Sequence, residues 1–135
     1  MSDDKPRRKM AVILASDMVG FSKAMGEDES GTLKKLKESR ALIDKAIASH
    51  YGRIFNTAGD SVIAEFSSPV DAVTAAIEFQ KLLKQRNSVN SVGNQAHFRV
   101  GINLGDVIVQ GNGLMGDLSM LMSKTSMGSS IFLSD

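Results

Sequence analysis

The stretch from Arg53 to Phe66, RIFNTAGDSVIAEF, constrains the fold most, because it reads as two short strands hinged on a tight turn that carries a carboxylate. Ile54 and Phe55 lead in; Val62, Ile63 and Phe66 lead out. Between them, Thr57-Ala58-Gly59-Asp60 supplies a glycine for the bend and Asp60 for an acidic tip. A second apolar run, Met10 to Ala15, is followed by another carboxylate, Asp17, and then by a turn containing Gly20. Two strand-end carboxylates brought together by one sheet make an oxygen site for a hard divalent cation.

The chain has 135 residues, enough for one domain with a core of its own. A single domain over residues 10–135 is expected, with a disordered polar leader over 1–9 and an irregular tail over 112–135. No cysteine is present, which excludes disulfides, thiolate ligands and a cysteine nucleophile, and leaves His50 and His97 as the only soft ligands. The net charge of +1 gives no bulk attraction to nucleic acid or anionic membrane. The apolar run before Asp17 is too short to span a bilayer and is interrupted before a signal-cleavage pattern forms, so a cytoplasmic chain without a membrane segment is expected.

In order, Met10 to Ser16 is nearly continuous in apolar residues, as suits a central strand buried on both faces. Met18 to Gly26 has the glycines of a loop. From Asp28 the period becomes helical, with Leu33, Leu36, Ile43 and Ile47 on one side, and Gly52 ends that segment. After the hairpin, Ser68-Pro69-Val70-Asp71 announces a helix start, and Ala72, Val73, Ala76, Ile77 and Leu83 form its predicted buried stripe. Phe98, Val100, Ile102 and Leu104 alternate with Arg99, Gly101 and Asn103, a strand buried on one face; Val107 to Val109 is read as its hairpin partner. This order predicts an α+β, ferredoxin-like βαββαβ sandwich with an extra C-terminal hairpin strand. That topology sets the third strand antiparallel beside the first, and so brings Asp17 and Asp60 to one sheet edge.

Other motifs carry less. Gly111-Asn112-Gly113-Leu114-Met115-Gly116 matches GxGxxG, but a dinucleotide site needs a following helix and an acid about 20 residues on, so a glycine-rich hairpin turn is the better reading. The topology is shared with RNA-recognition modules, which stack bases on aromatics of the two central strands; here those strands hold only Phe66, at their very end.

Asp17 to Ser22 (DMVGFS), Met25 to Glu29, Thr57 to Asp60 and Arg99 to Val109 (RVGINLGDVIV), in this order and spacing, resemble the catalytic domain of bacterial class III adenylate/guanylate cyclases over roughly Arg8 to Asp117. The resemblance implies that Asp17 and Asp60 hold two Mg²⁺ or Mn²⁺ ions, and that Met18, Val19, Gly20, Phe21 and Ser22 wrap a nucleoside triphosphate with backbone amides. It also implies a homodimer, or a heterodimer with another cyclase domain, in which metals come from one subunit and purine and transition-state groups from the other.

The departures concern that second set. Asn56 stands where many members carry a purine-reading Lys, and Gly113 where they carry its acidic partner. Met120 and Lys124 stand where the family has a ribose-orienting Asn and a transition-state Arg; Lys124 keeps the charge without the planar fork. Ile131 to Ser134 resembles the next family strand but arrives about three residues early, so a truncated domain is expected. Two functions follow: a nucleotide cyclase acting on a nucleoside triphosphate, ATP foremost, for second-messenger signalling, or a catalytically degenerate metal–nucleotide binding or dimerisation module.

Overall fold

The computed structural model describes residues 7–110, 113–114 and 130–134. Its elements run β1 (Arg7–Met18), α1 (Phe21–Glu27), α2 (Glu29–Ser49), β2 (Arg53–Ala58), β3 (Ser61–Phe66), α3 (Pro69–Ser88), β4 (Phe98–Gln110), β5 (Gly113–Leu114) and β6 (Ser130–Ser134). The sheet order is β2-β3-β1-β4, with β5 and β6 both paired antiparallel to β4. Strand β1 pairs antiparallel with β3 on one side and with β4 on the other, so the βαββαβ expectation holds.

As a strand between two others, β1 is buried on both faces: Ala11, Val12, Ile13 and Leu14 are each at most 4% exposed. Val12, Leu14 and Met18 join Val62, Ala64 and Phe66 of β3 and Phe98, Val100 and Ile102 of β4 in the core beneath the helices. Two boundaries differ from the sequence reading. Strand β1 already begins at Arg7, where Arg7 to Lys9 stand opposite Val109 to Val107. For the same reason Val107 to Val109 are not a return strand; β4 runs unbroken to Gln110, and the hairpin partner is β5, with Leu114 opposite Val109.

The helices obey their caps more closely than their hydrophobic period. Ser68 accepts the Val70 amide at 3.2 Å and Pro69 opens α3, while Asp28 accepts the Gly31 amide at 3.1 Å to open α2. The buried stripe of α3, however, is Ala72, Ala75, Ala76, Phe79, Leu83 and Asn87, and Ile77 is 56% exposed. On α2, Thr32 and Ser39 are buried while Leu33 is 44% exposed. Ser39 costs little there, because its hydroxyl donates to the Lys35 carbonyl one turn back at 2.8 Å. Asn87 is satisfied by both backbone groups of Ala96, at 2.8 and 3.0 Å, which fixes the turn into β4. Arg86 ties the same turn to α2, donating to the Asn94 carbonyl and to Glu38, and its hydrogen bond holds the Glu38 carboxyl below the usual range.

Gly52, expected to end the α2 region, lies beyond the turn that does so: α2 stops at Ser49, and Gly52 is required by packing and not by conformation. The left-handed residue is Tyr51, at φ 66°, whose amide bonds Ala48 O while the Gly52 amide bonds Ile47 O, the Schellman pattern. A Cβ on Gly52 would lie 2.5 Å from the Phe66 ring and 2.6 Å from Ile47. Adjacent substitutions therefore have opposite signs: Gly52→Ala destabilises by about 1–3 kcal/mol through overpacking, and Tyr51→Gly stabilises by about 0.5–1 kcal/mol by removing left-handed strain. Urea denaturation of the two variants checks this, and equal midpoints would contradict it.

Candidate functional site

The site forms where β1 ends and β3 begins. Gly59 and Asp60 bridge the paired Ala58 and Ser61, with φ of 57° at Gly59 alone, the position at which a type II′ hairpin needs glycine. This tight turn projects Asp60 toward the end of β1, and its Oδ2 accepts the Met18 amide at 2.8 Å. Asp17 is the preceding residue on β1. The two carboxylates are thus held at adjoining strand ends, as the topology predicted, and linked through one peptide.

Asp17 is oriented by a neighbour on β4. It stands opposite Arg99 in the β1/β4 register, and its Oδ1 accepts the Arg99 Nε–H at 3.0 Å. That pair is open to solvent, with side chains 41% and 65% exposed, so its contribution to stability is small. Its importance is local: a guanidinium lies against one of the two carboxylates. Sequence reasoning missed Arg99; alternation placed it on the outer face of β4, but nothing local indicates which β1 residue it faces.

The loop after β1 is shorter than expected. Only Val19 and Gly20 separate β1 from α1, and Phe21 and Ser22 are already the first helical residues, which corrects the reading of Met18 to Gly26 as loop. Its two turns bury little, which left no apolar period to read; among its residues Phe21 packs partly against the core. Two of the five amides from Met18 to Ser22 serve the fold itself: Met18 N–H binds Asp60, and Val19 N–H binds His97 O at 2.8 Å. Gly20, at φ 69°, turns the chain so that the amides of Phe21 and Ser22 begin a helix, where they have no intrahelical acceptor. Phe21 also approaches the hairpin tip: a Cβ added at Gly59 would lie 4.0 Å from its ring.

Among the described residues no group of three or more His, Asp or Glu side chains gathers as a metal cage. A pair of carboxylates is nevertheless a fitting donor set for Mg²⁺ or Mn²⁺, since such ions are commonly held by one or two carboxylates together with substrate phosphates and water. Asn56 lies on β2 opposite Ile63, four residues before Asp60, and Gly113 lies on β5. Met120 and Lys124 lie outside the described residues. No helix among the described residues is long and apolar enough to cross a membrane.

Residues 4–119 match the family model for the adenylate and guanylate cyclase catalytic domain. A Rhizobium meliloti (strain 1021) protein named "Putative adenylate cyclase 3" is 36% identical over 118 residues, covering 87% of this chain and 20% of that protein, so the chain spans about one fifth of this relative's length. Among solved structures, an adenylate/guanylate cyclase/hydrolase from Silicibacter pomeroyi is 33% identical with a TM-score of 0.74, over 90% of this chain and 71% of that one. The adenylyl cyclase CyaB from P. aeruginosa shares the fold at a TM-score of 0.69 and 23% identity, over 93% of this chain and 75% of that one. With a mixed α/β antiparallel-sheet fold and a family match over residues 4–119, the chain belongs to the adenylate and guanylate cyclase catalytic domain family.

Proposed function

We propose that this domain converts a nucleoside triphosphate, ATP foremost, to its 3′,5′-cyclic monophosphate and pyrophosphate, in a shared site formed with a second cyclase domain. The observation that carries this reading is the pair Asp17 and Asp60, tied through the Met18 amide at adjoining strand ends of a cyclase-family fold. In the reaction the ribose 3′-oxygen bonds to the α-phosphorus, the bond from that phosphorus to the bridging oxygen breaks, pyrophosphate leaves, and the hydroxyl proton passes to solvent. Asp17 and Asp60 would hold two Mg²⁺ or Mn²⁺ ions, which supply acidification of the 3′-hydroxyl and neutralisation of the triphosphate. Asp60 enters the site oriented by its backbone donor, so little reorganisation is needed. The amides of Phe21 and Ser22, with Gly20 permitting close approach, suit phosphate oxygens.

A second reading, a binding or dimerisation module without turnover, rests on Met120 and Lys124, which stand where the resemblance places the ribose Asn and the transition-state Arg. Incubation with Mn²⁺ and ATP or GTP, alone and with a second cyclase domain, separates the two by whether cyclic nucleotide forms.

Base selectivity should be poor. A site that hydrogen-bonds a base edge rejects the wrong base by factors of about 10⁴, because mismatched groups are left unpaired; Asn56 and Gly113 replace the groups that would do so. Competition binding should give ATP and GTP affinities within about tenfold by that argument. A hundredfold preference would show that other residues read the purine.

A further inference from the structure

The contact between Arg99 and Asp17 has a consequence for how the site fills. Arg99 Nε–H is donated to Asp17 Oδ1 at 3.0 Å, so its positive charge occupies one face of a carboxylate assigned to cations. Taking Asp17, Asp60 and Arg99 together, one of the two negative charges is already countered. A bare divalent cation must displace the guanidinium or bind beside it, and both cost electrostatic energy, since like charges a few ångströms apart repel even at a solvent-exposed site. A cation that arrives complexed to a polyphosphate meets no such cost, because its anion gives the displaced guanidinium a new partner.

We propose that Arg99 is a counter-ion latch on Asp17, which suppresses capture of a bare divalent cation and makes binding of the cation conditional on the polyanion that carries it. The proposal rests on the reading of Asp17 as a cation ligand. Arg99 acts here through Asp17 as a positioning residue. Its position is fixed by the register, which sets Arg99 opposite Asp17 with Phe98 opposite Met18. The coupling is reciprocal: whatever Arg99 subtracts from affinity for the cation alone is recovered when cation and polyanion bind together.

The test is Mn²⁺ binding to the whole chain, followed by the electron paramagnetic resonance of the free ion, which requires no turnover. Arg99→Ala and Arg99→Gln should bind bare Mn²⁺ about five- to tenfold more tightly than the parent chain, while Arg99→Lys, which keeps the charge, should stay within about twofold. The gain should vanish when Asp17→Asn is added, and also when Mn²⁺ is offered as its complex with α,β-methylene-ATP. Arg99→Gln carries the same comparison should Arg99→Ala fold poorly. If Asp17→Asn weakens Mn²⁺ binding but the Arg99 variants bind it no better than the parent, the latch is overturned and the metal reading stands. If Asp17→Asn changes Mn²⁺ binding in neither background, the metal reading itself fails, and the latch with it.

Discussion

Mixed with a cyclase domain whose own two metal-binding aspartates have been replaced, this chain should make cyclic nucleotide at least a thousandfold faster than it does alone. The resemblance implies a shared site, in which metals and triphosphate are held by one subunit and the purine, ribose and developing charge by the other. On the proposed reading the metal half of this chain is Asp17 and Asp60, which stand at adjoining strand ends. The complementary half, by the resemblance, has Met120 for the ribose Asn and Lys124 for the transition-state Arg. A charge-stabilising arginine contributes about 10³ to 10⁵ in phosphoryl transfer, and a lysine offers a point charge without the bidentate fork. Methionine cannot hydrogen-bond a ribose hydroxyl usefully. The chain alone should therefore be very slow while nucleotide binding survives. A partner with intact ribose and arginine groups but no metal aspartates is equally inactive alone, and the mixture assembles one complete site. Measuring cyclic nucleotide from each protein and from the mixture decides the matter. Turnover by the chain alone at about 1 per second, typical of working enzymes, would show that the transition-state group lies elsewhere. A silent mixture with metal–nucleotide binding retained would favour the binding module.

Replacing both Asp17 and Asp60 by Asn should abolish the stabilisation conferred by Mn²⁺ with a non-cyclisable nucleoside triphosphate. A ligand at about 100 times its dissociation constant adds roughly 2.7 kcal/mol to the folded state. For a domain of this size that raises the melting temperature by about 10 °C. Asn keeps the shape of each side chain and removes the charge that holds a divalent ion. The Met18 amide retains a side-chain oxygen acceptor at position 60, so the variant should melt near the parent when no ligand is present. An undiminished shift in the double variant would mean that the carboxylates are not the ligands.

Much of this arrangement was legible before any tertiary structure. Local patterns carried it: strict alternation from Phe98 to Leu104, the Ser68-Pro69 cap, and Gly59-Asp60 between two apolar runs each specify an element through backbone sterics and a few neighbouring side chains. The helix faces were less legible. Hydrophobicity nominates Leu33 and Ile77, yet the buried positions include Thr32, Ser39 and Ala75, because which side of a helix is covered is decided by the elements packed against it and not by its own sequence period.

The sequence by itself determined the strand and helix order, and with it the meeting of Asp17 and Asp60, because few topologies accommodate that order and each local signal agrees with it. Only the tertiary structure decided three things: that Arg99 faces Asp17, that the Met18 amide belongs to Asp60, and that Tyr51, rather than Gly52, takes the left-handed turn. The first two depend on register and approach between segments 82 and 42 residues apart, which no local preference encodes. The third follows from how the helix closes, with the Tyr51 and Gly52 amides bonded back to Ala48 O and Ile47 O, while the Phe66 ring from β3 leaves no room for a Cβ at position 52.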